Sequence, residues 1–368
     1  MTVRRTFLGA TVAVLAALGA ASPASAAYQY AGRFGHEGNG PGEFGGGILG
    51  AGANRQYDDP GGIAVASDGT VLVVDPSNSR VERFKSSGAF VSSFGSRGHD
   101  KGFTRIALTK RFFQPEGIAL DPAGNIYVVD TGNDRIMKFN SRGRFLKRLA
   151  KTGSFPGQVV QPWGAAIGGG KLFVADQGNY EIDTMRTSGA SKRSFSRFGR
   201  DPGELVTPGG VAATPAGDRV YVADIIRHKV LIFDGSGKFL DEFGSPGTGP
   251  GQFLKPTGVT VGVDGSVFVG DRCNWRVDHF TATGRFIESF GHENLASPTF
   301  LTQDRAGNLY VSDFHRVVKF APGASAARRT TATTSPRARA AHHNDIDIMC
   351  RHVAEMNGIR NHPRAPLR

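Results

Sequence analysis

The segment YVVDTGNDRIMKF, residues 127–139, is written again with variation: LVVDPSNSRVERF at 72–84, YVADIIRHKVLIF at 221–233 and FVGDRCNWRVDHF at 268–280. In each copy an Asp closes the first apolar run, and a Phe follows it nine residues later. A second element keeps step with it, a Pro beside a Gly and an aliphatic run. It reads DPGGIAV at Pro60, QPEGIAL at Pro115, QPWGAAI at Pro162, TPGGVAA at Pro208, KPTGVTV at Pro256 and SPTFLTQ at Pro298. Successive anchors lie 55, 47, 46, 48 and 42 residues apart. A spacing in the forties with turn signals inside each unit points to a repeat architecture.

Each unit reads as four short strands. In the second, GIALD, IYVVD, IMKFN and RFLKRL are runs of β-branched and aromatic residues, separated by the turns PAGN, DTGNDR and SRG. Pro suits the head of a strand, where its missing N–H breaks no ladder bond, and the Gly two residues later suits crowded backbones. Apolar residues fall on both faces of such a sheet, so both faces must be covered. Radial packing does this, with Phe84, Phe139, Phe233, Phe280 and Phe320 between neighbours. The sixth unit stops after VVKFAPG and lacks its fourth strand, while YQYAGRFG at 28–35 precedes the first anchor and fits the fourth-strand pattern of AFVSSFG and KFLDEFG. The N-terminal strand is therefore expected to complete the last sheet and close a ring without free edges.

The recurring P-x-G-[IV]-A-[VL], D-x-x-G-N-[IL]-Y-V-x-D and N-x-R-[IV]-x-x-F patterns resemble the NHL repeat, in six copies from Tyr28 to about Gly323. The resemblance implies an all-β, six-bladed β-propeller of four-stranded antiparallel blades. It does not imply one activity, because propellers host many.

Antiparallel order places the residue after each Pro, the turns between second and third strands, and the connections between blades on one face, here called the top. The pairs Asp75/Arg80, Asp130/Arg135 and Asp271/Arg276 recur there at fixed spacing. They read as structural, the Asp accepting turn N–H groups and the Arg pairing with a carboxylate. Departures from the pattern are the candidate recognition residues. Trp163 follows the Pro of the third unit, Tyr180 and Glu181 replace its polar-Arg pair, and Glu116 follows the Pro of the neighbouring unit. Aromatics stack on sugars or peptides and carboxylates accept hydroxyl or ammonium donors. A drifted unit whose Trp merely plugs the channel is the alternative. Two long top-face connections, at 45–59 and 96–112, are further candidates. The second carries Arg97, Lys101, Arg105, Lys110 and Arg111 against Asp100.

Some propellers of the family that the chain resembles are lyases, such as the peptide-amidating lyase, in which zinc is held by histidines, two of them just after the repeat Pro. Here those positions are Gly61, Glu116, Trp163, Gly209, Thr257 and Thr299, so that site is not supported. His228 and His315 stand at matching turn positions and are weak metal candidates, two ligands where zinc wants three or four. No cofactor is expected. Nucleic-acid binding, another activity of the family, is disfavoured by the leader sequence.

Residues 1–27 read as an export signal: Arg4 and Arg5, an apolar run from Phe7 to Ala20, then the small-residue site Ala24-Ser25-Ala26. Either general secretion or the twin-arginine route fits. No later segment is apolar enough to span a membrane. The net charge is +12, of which the tail beyond Gly323 carries +5 and the leader +2. Residues 324–368 are expected to be mostly disordered, with a short helix at 345–357. Cys273 and Cys350 could pair in an oxidising compartment, which spacing alone does not decide. The expectation is a secreted or envelope-associated monomer binding a protein, a glycan or an anionic envelope polymer through the top face. The alternative is an extracellular lyase or hydrolase with its site at the channel mouth.

Overall fold

A computed structural model of the protein describes residues 27–45, 59–98, 111–323 and 350. Six antiparallel sheets stand around a central axis. Blade 1 runs through Ile63–Val65, Val71–Asp75, Arg80–Phe84 and Phe90–Phe94. Blade 2 holds Ile118–Leu120, Ile126–Asp130, Arg135–Phe139 and Phe145–Thr152, and the two-residue strand Gln158–Val159 adds to its edge in parallel. Blade 3 holds Pro162–Gly168, Lys171–Asp176, Glu181–Arg186 and Arg193–Phe195. Blade 4 holds Pro208–Ala213, Arg219–Asp224, Lys229–Asp234 and Phe239–Phe243, and blade 5 Pro256–Val261, Val267–Asp271, Arg276–Phe280 and Phe286–Phe290. Blade 6 takes Leu301–Gln303, Leu309–Asp313 and Arg316–Pro322 from the end of the repeat array, and Tyr28–Phe34 from its start.

The first strands touch one another in a closed circuit, blade 6 meeting blade 1, which makes the ring. At the axis their backbones crowd. A Cβ on Gly117 would stand 2.4 Å from the Trp163 carbonyl oxygen, and one on Gly258 2.2 Å from that of Thr299. The Gly two residues after each Pro is thus the residue that lets the next blade approach. In blade 6 that position is Phe300, whose side chain lines the narrow channel with Ile63, Val211 and Leu301 around a cavity of ≈ 40 Å³. This is room for about one water.

Apolar clusters fill the gaps between blades. Phe112 and Phe139 pack with Val74 and Val81 between blades 1 and 2, and Phe253 and Phe280 with Val230 and Ile232 between blades 4 and 5. The closing strand pairs in register with its partner from Tyr28↔Pro322 to Phe34↔Val317, with one irregularity at Tyr30/Gly32. Tyr28 locks it: the ring stacks on Phe290 at 4.9 Å, and the hydroxyl donates to the Gly307 carbonyl and accepts from Gln303 Nε2.

Cys273 and the fully buried Cys350 form a disulfide, so the tail is tied to blade 5. The remainder of the expected helix at 345–357, and residues 1–26 of the expected leader at 1–27, lie outside the described residues. Among the described residues no helix is long and apolar enough to cross a membrane.

Tyr28→Ala is expected to cost about 2–3 kcal/mol, because it removes half-buried ring contacts and two hydrogen bonds. Deleting the whole strand should lower Tm by about 10 °C or more by calorimetry. An unchanged Tm for the deletion would contradict the closure.

Candidate functional site

The top face is organised by a carboxylate at the end of each second strand. One oxygen receives a backbone N–H from the lead-in to the same blade's first strand: Phe113 to Asp130 at 2.8 Å, Val160 to Asp176 at 3.0 Å, Leu254 to Asp271 at 2.7 Å, Ala296 to Asp313 at 2.7 Å. The turn that follows ends on a residue in the left-handed region, among them Ser79, Asp134, Tyr180, His228, Trp275 and His315. An Arg then opens the third strand and pairs back to the Asp. Arg80 Nε lies 3.0 Å from Asp75, Arg135 Nε 2.6 Å from Asp130, and Arg276 Nε 3.3 Å from Asp271. The guanidinium also reaches out of the blade. Arg80 donates to the carbonyls of Asn39, Gly40 and Glu43, and Arg276 to those of Thr248, Gly249 and Gln252. Each such Arg therefore ties an interblade connection to its blade.

At the channel mouth the residues expected for recognition are buried. Trp163 and Glu116 are both almost without solvent contact. The Trp163 side chain reaches across the axis from blade 3 into the apolar cluster between blades 6 and 1, beside Ile63 and Phe300. Close to Glu116 sits a polar knot that the sequence did not announce. Arg272 Nη2 lies 3.2 Å from Asp59, Arg272 Nε donates to Ser297 Oγ at 3.0 Å, and Ser297 Oγ donates to Asp59 at 2.9 Å. Burial, with repulsion from Asp59 and against attraction from Arg272, raises the Glu116 carboxyl well above its ordinary value. It therefore favours holding its proton.

Tyr180 and Glu181 lie elsewhere, on the rim of blade 3, so the four residues are not one patch. Tyr180 is 39% exposed and meets Phe198, 63% exposed, edge-on at 4.9 Å. Phe155, 73% exposed, stands on the connection into the same blade, whose Gly153 carbonyl accepts from Asn179 beside Tyr180. Lys151, Lys192 and Arg200 are exposed on the flanking segments. Phe155 and Phe198 were missed from sequence. The available signal was a large aromatic in a Gly-rich connection where neighbouring units carry small or polar residues. Below the aromatics, Glu181 joins Asp176 and Asp183. Burial first, then Asp176 and Glu181, push the Asp183 carboxyl up to about 8.

His228 and His315 are not brought into a ligand set. Among the described residues the group of three possible metal ligands is Asp176, Glu181 and Asp183, which contains neither histidine. His228 Nδ1 accepts the Lys255 N–H at 3.0 Å, and burial, then the charges of Lys255 and Arg200, push its pKa down to about 4. Arg111 is exposed at the start of the short strand Arg111–Phe112, and its carbonyl accepts from Arg135. Lys101, Arg105 and Lys110 lie outside the described residues.

The NHL repeat family matches residues 112–139, and the family described as a 6-bladed β-propeller matches residues 211–318. Solved structures share the fold at low identity. A protein of unknown function from Bacteroides thetaiotaomicron is 15% identical with TM-score 0.57, over 80% of this chain and 76% of that one. A gluconolactonase from Xanthomonas campestris is 14% identical with TM-score 0.54, over 72% and 85%. Virginiamycin B lyase from Staphylococcus aureus is 15% identical with TM-score 0.50, over 73% and 85%.

Arg276→Leu should destabilise the protein by about 3–5 kcal/mol in denaturant melts, because it strands the buried carboxylates of Asp271 and Asp278. His228, with a folded pKa below its unfolded value, contributes stability that is present above about pH 6.5 and lost as pH falls toward 4. The Tm difference between wild type and His228→Asn should therefore shrink across that window. A constant difference would contradict the buried neutral imidazole.

Proposed function

We propose that this NHL-repeat, six-bladed propeller is an extracytoplasmic binding module that recognises an anionic envelope glycan through the rim of blade 3. The observation that carries the reading is the exposed aromatic group there. Tyr180 and Phe198 form a pair on loops, with Phe155 on the adjoining connection, and all three keep more than a third of their surface in water. Large exposed rings on a rigid scaffold mark interaction sites. Rings stack on sugar faces, and the neighbouring Lys151, Lys192 and Arg200 supply positive charge for acid groups. Export is supported by the leader-like start and by the Cys273–Cys350 disulfide, a bond suited to oxidising compartments. The lyase or hydrolase alternative would use the channel mouth, where Trp163 and the Asp59–Arg272–Ser297 knot are buried. The rim is the better supported site.

The test is binding to polygalacturonate, with dextran as neutral control. Wild type should bind the acidic polymer, more weakly as salt rises. The double variant Tyr180→Ala/Phe198→Ala should lose at least tenfold in affinity, about 1.4 kcal/mol, with Tm unchanged. Equal binding by the double variant would overturn the assignment of the rim.

A further inference from the structure

Blade 3 breaks the rule that holds the other top-face connections. In blades 1, 2, 5 and 6 an Arg at the start of the third strand pairs with the second-strand Asp and donates to carbonyls of the preceding connection. Blade 4 has Lys229 at that position, and there Arg227, from the turn, caps the carbonyls of Arg200 and Glu204 instead. In blade 3 the pairing partner of Asp176 is Glu181. The position that carries a guanidinium opposite Asp75, Asp130 and Asp271 carries a carboxylate here.

The charge error is compounded two residues on. Blades 1 and 5 place a second carboxylate against their Arg, Glu82 at 3.2 Å from Arg80 and Asp278 at 3.0 Å from Arg276. Blade 3 keeps that acid as Asp183 while lacking the Arg. One ligand oxygen from each of Asp176, Glu181 and Asp183 lies within 4.8 Å of the others. Asp183 is 0% exposed. Its Oδ1 accepts the Gly157 N–H, as Glu82 accepts that of Gly42, but its Oδ2 has no partner, and neither does Glu181 Oε1. A buried carboxylate oxygen without a donor among two other carboxylates is costly unless a proton or a cation meets it. Lys192 does not, as its amine lies 3.4 Å from the Gly157 carbonyl and forms no ion pair with the three acids.

The rest of the blade 3 socket is intact. The Asn179 side chain holds the Gly153 carbonyl at 2.9 Å, as Asn274 holds that of Gly247 at 2.9 Å. Gln158 N–H closes on the Phe155 carbonyl, as Gln252 N–H closes on that of Gly249. Both connections read Pro-Gly-Gln, so the carbonyls of Ser154, Phe155 and Gln158 stand in the places that Arg276 caps in blade 5.

We propose that blade 3 binds a calcium ion in the place of the missing guanidinium, held by Asp176, Glu181 and Asp183 with carbonyl oxygens of the 153–158 connection. Every donor is a hard oxygen, carboxylate or carbonyl, the set that suits Ca²⁺ rather than zinc or copper. The inference stands apart from glycan recognition, since it concerns how the connection is held.

The test uses the full chain, stripped with chelator and titrated with CaCl₂ by calorimetry and thermal melting. One ion per chain should bind, and Tm should rise by about 5 °C at a hundredfold excess over Kd. Glu181→Arg, which restores the residue of the other blades, should bind no ion and melt at or above the calcium-loaded wild type. Asp183→Asn should weaken uptake at least tenfold and gives a readout should Glu181→Arg fail to fold. Absence of stoichiometric uptake by the stripped wild type, or uptake surviving in either variant at wild-type affinity, would overturn the site.

Discussion

The top face depends on one electrostatic tie, a positive charge set between a buried carboxylate and the backbone carbonyls of an interblade connection. Without it two costs coincide, a desolvated anion and a loop whose carbonyls face inward without donors. Asp75, Asp130 and Asp271 show the first cost, since burial raises the pKa of each even though Arg and Asn side chains pull against it. Arg answers both costs, because its planar fork reaches the acid with Nε and the loop with its terminal nitrogens. The tie also couples neighbouring blades, since the connection it grips descends from the preceding sheet.

The ring below is set by packing. Gly residues let the first strands meet at the axis, Phe rings fill the wedges between blades, and Tyr28–Phe34 supplies the edge that the sixth unit lacks. At the axis the first strands leave a cavity of ≈ 40 Å³; Trp163 and Phe300 are buried in one cluster with Ile63, and Asp59, Arg272 and Ser297 form a buried polar knot. On the rim, blade 3 departs from its neighbours by exposing Tyr180 and Phe198.

Much of this was legible in the sequence because repetition exposes what each unit must solve. The missing fourth strand of unit six and the orphan strand at 28–35 announced the closure. The Asp/Arg spacing announced the ties at Asp75/Arg80, Asp130/Arg135 and Asp271/Arg276, and the structure forms all three. Burial of Trp163 and Glu116 was not legible, because it follows from how tightly first strands from different blades converge. Nor was the separation of Trp163 from Tyr180, since the two stand at the same end of the blade, one on its innermost strand and the other at the turn into its third. The role of Asp183 had a visible cue: RVE, EID and RVD open the third strands of blades 1, 3 and 5, and the middle one inverts the charge of its first residue. Arg227 had none, as it replaces the turn Asn whose side chain in blades 1, 2, 3 and 5 holds a connection carbonyl.

The central claim is that a cation pins each connection to its blade and that blade 3 borrows one. Amide hydrogen exchange on metal-free protein measures this directly by comparing residues 153–158 with their counterparts 247–252. The account predicts faster exchange in the blade 3 connection, slowed to the level of blade 5 when calcium is added, with blade 5 unaffected. Equal protection of the two connections without metal would contradict it.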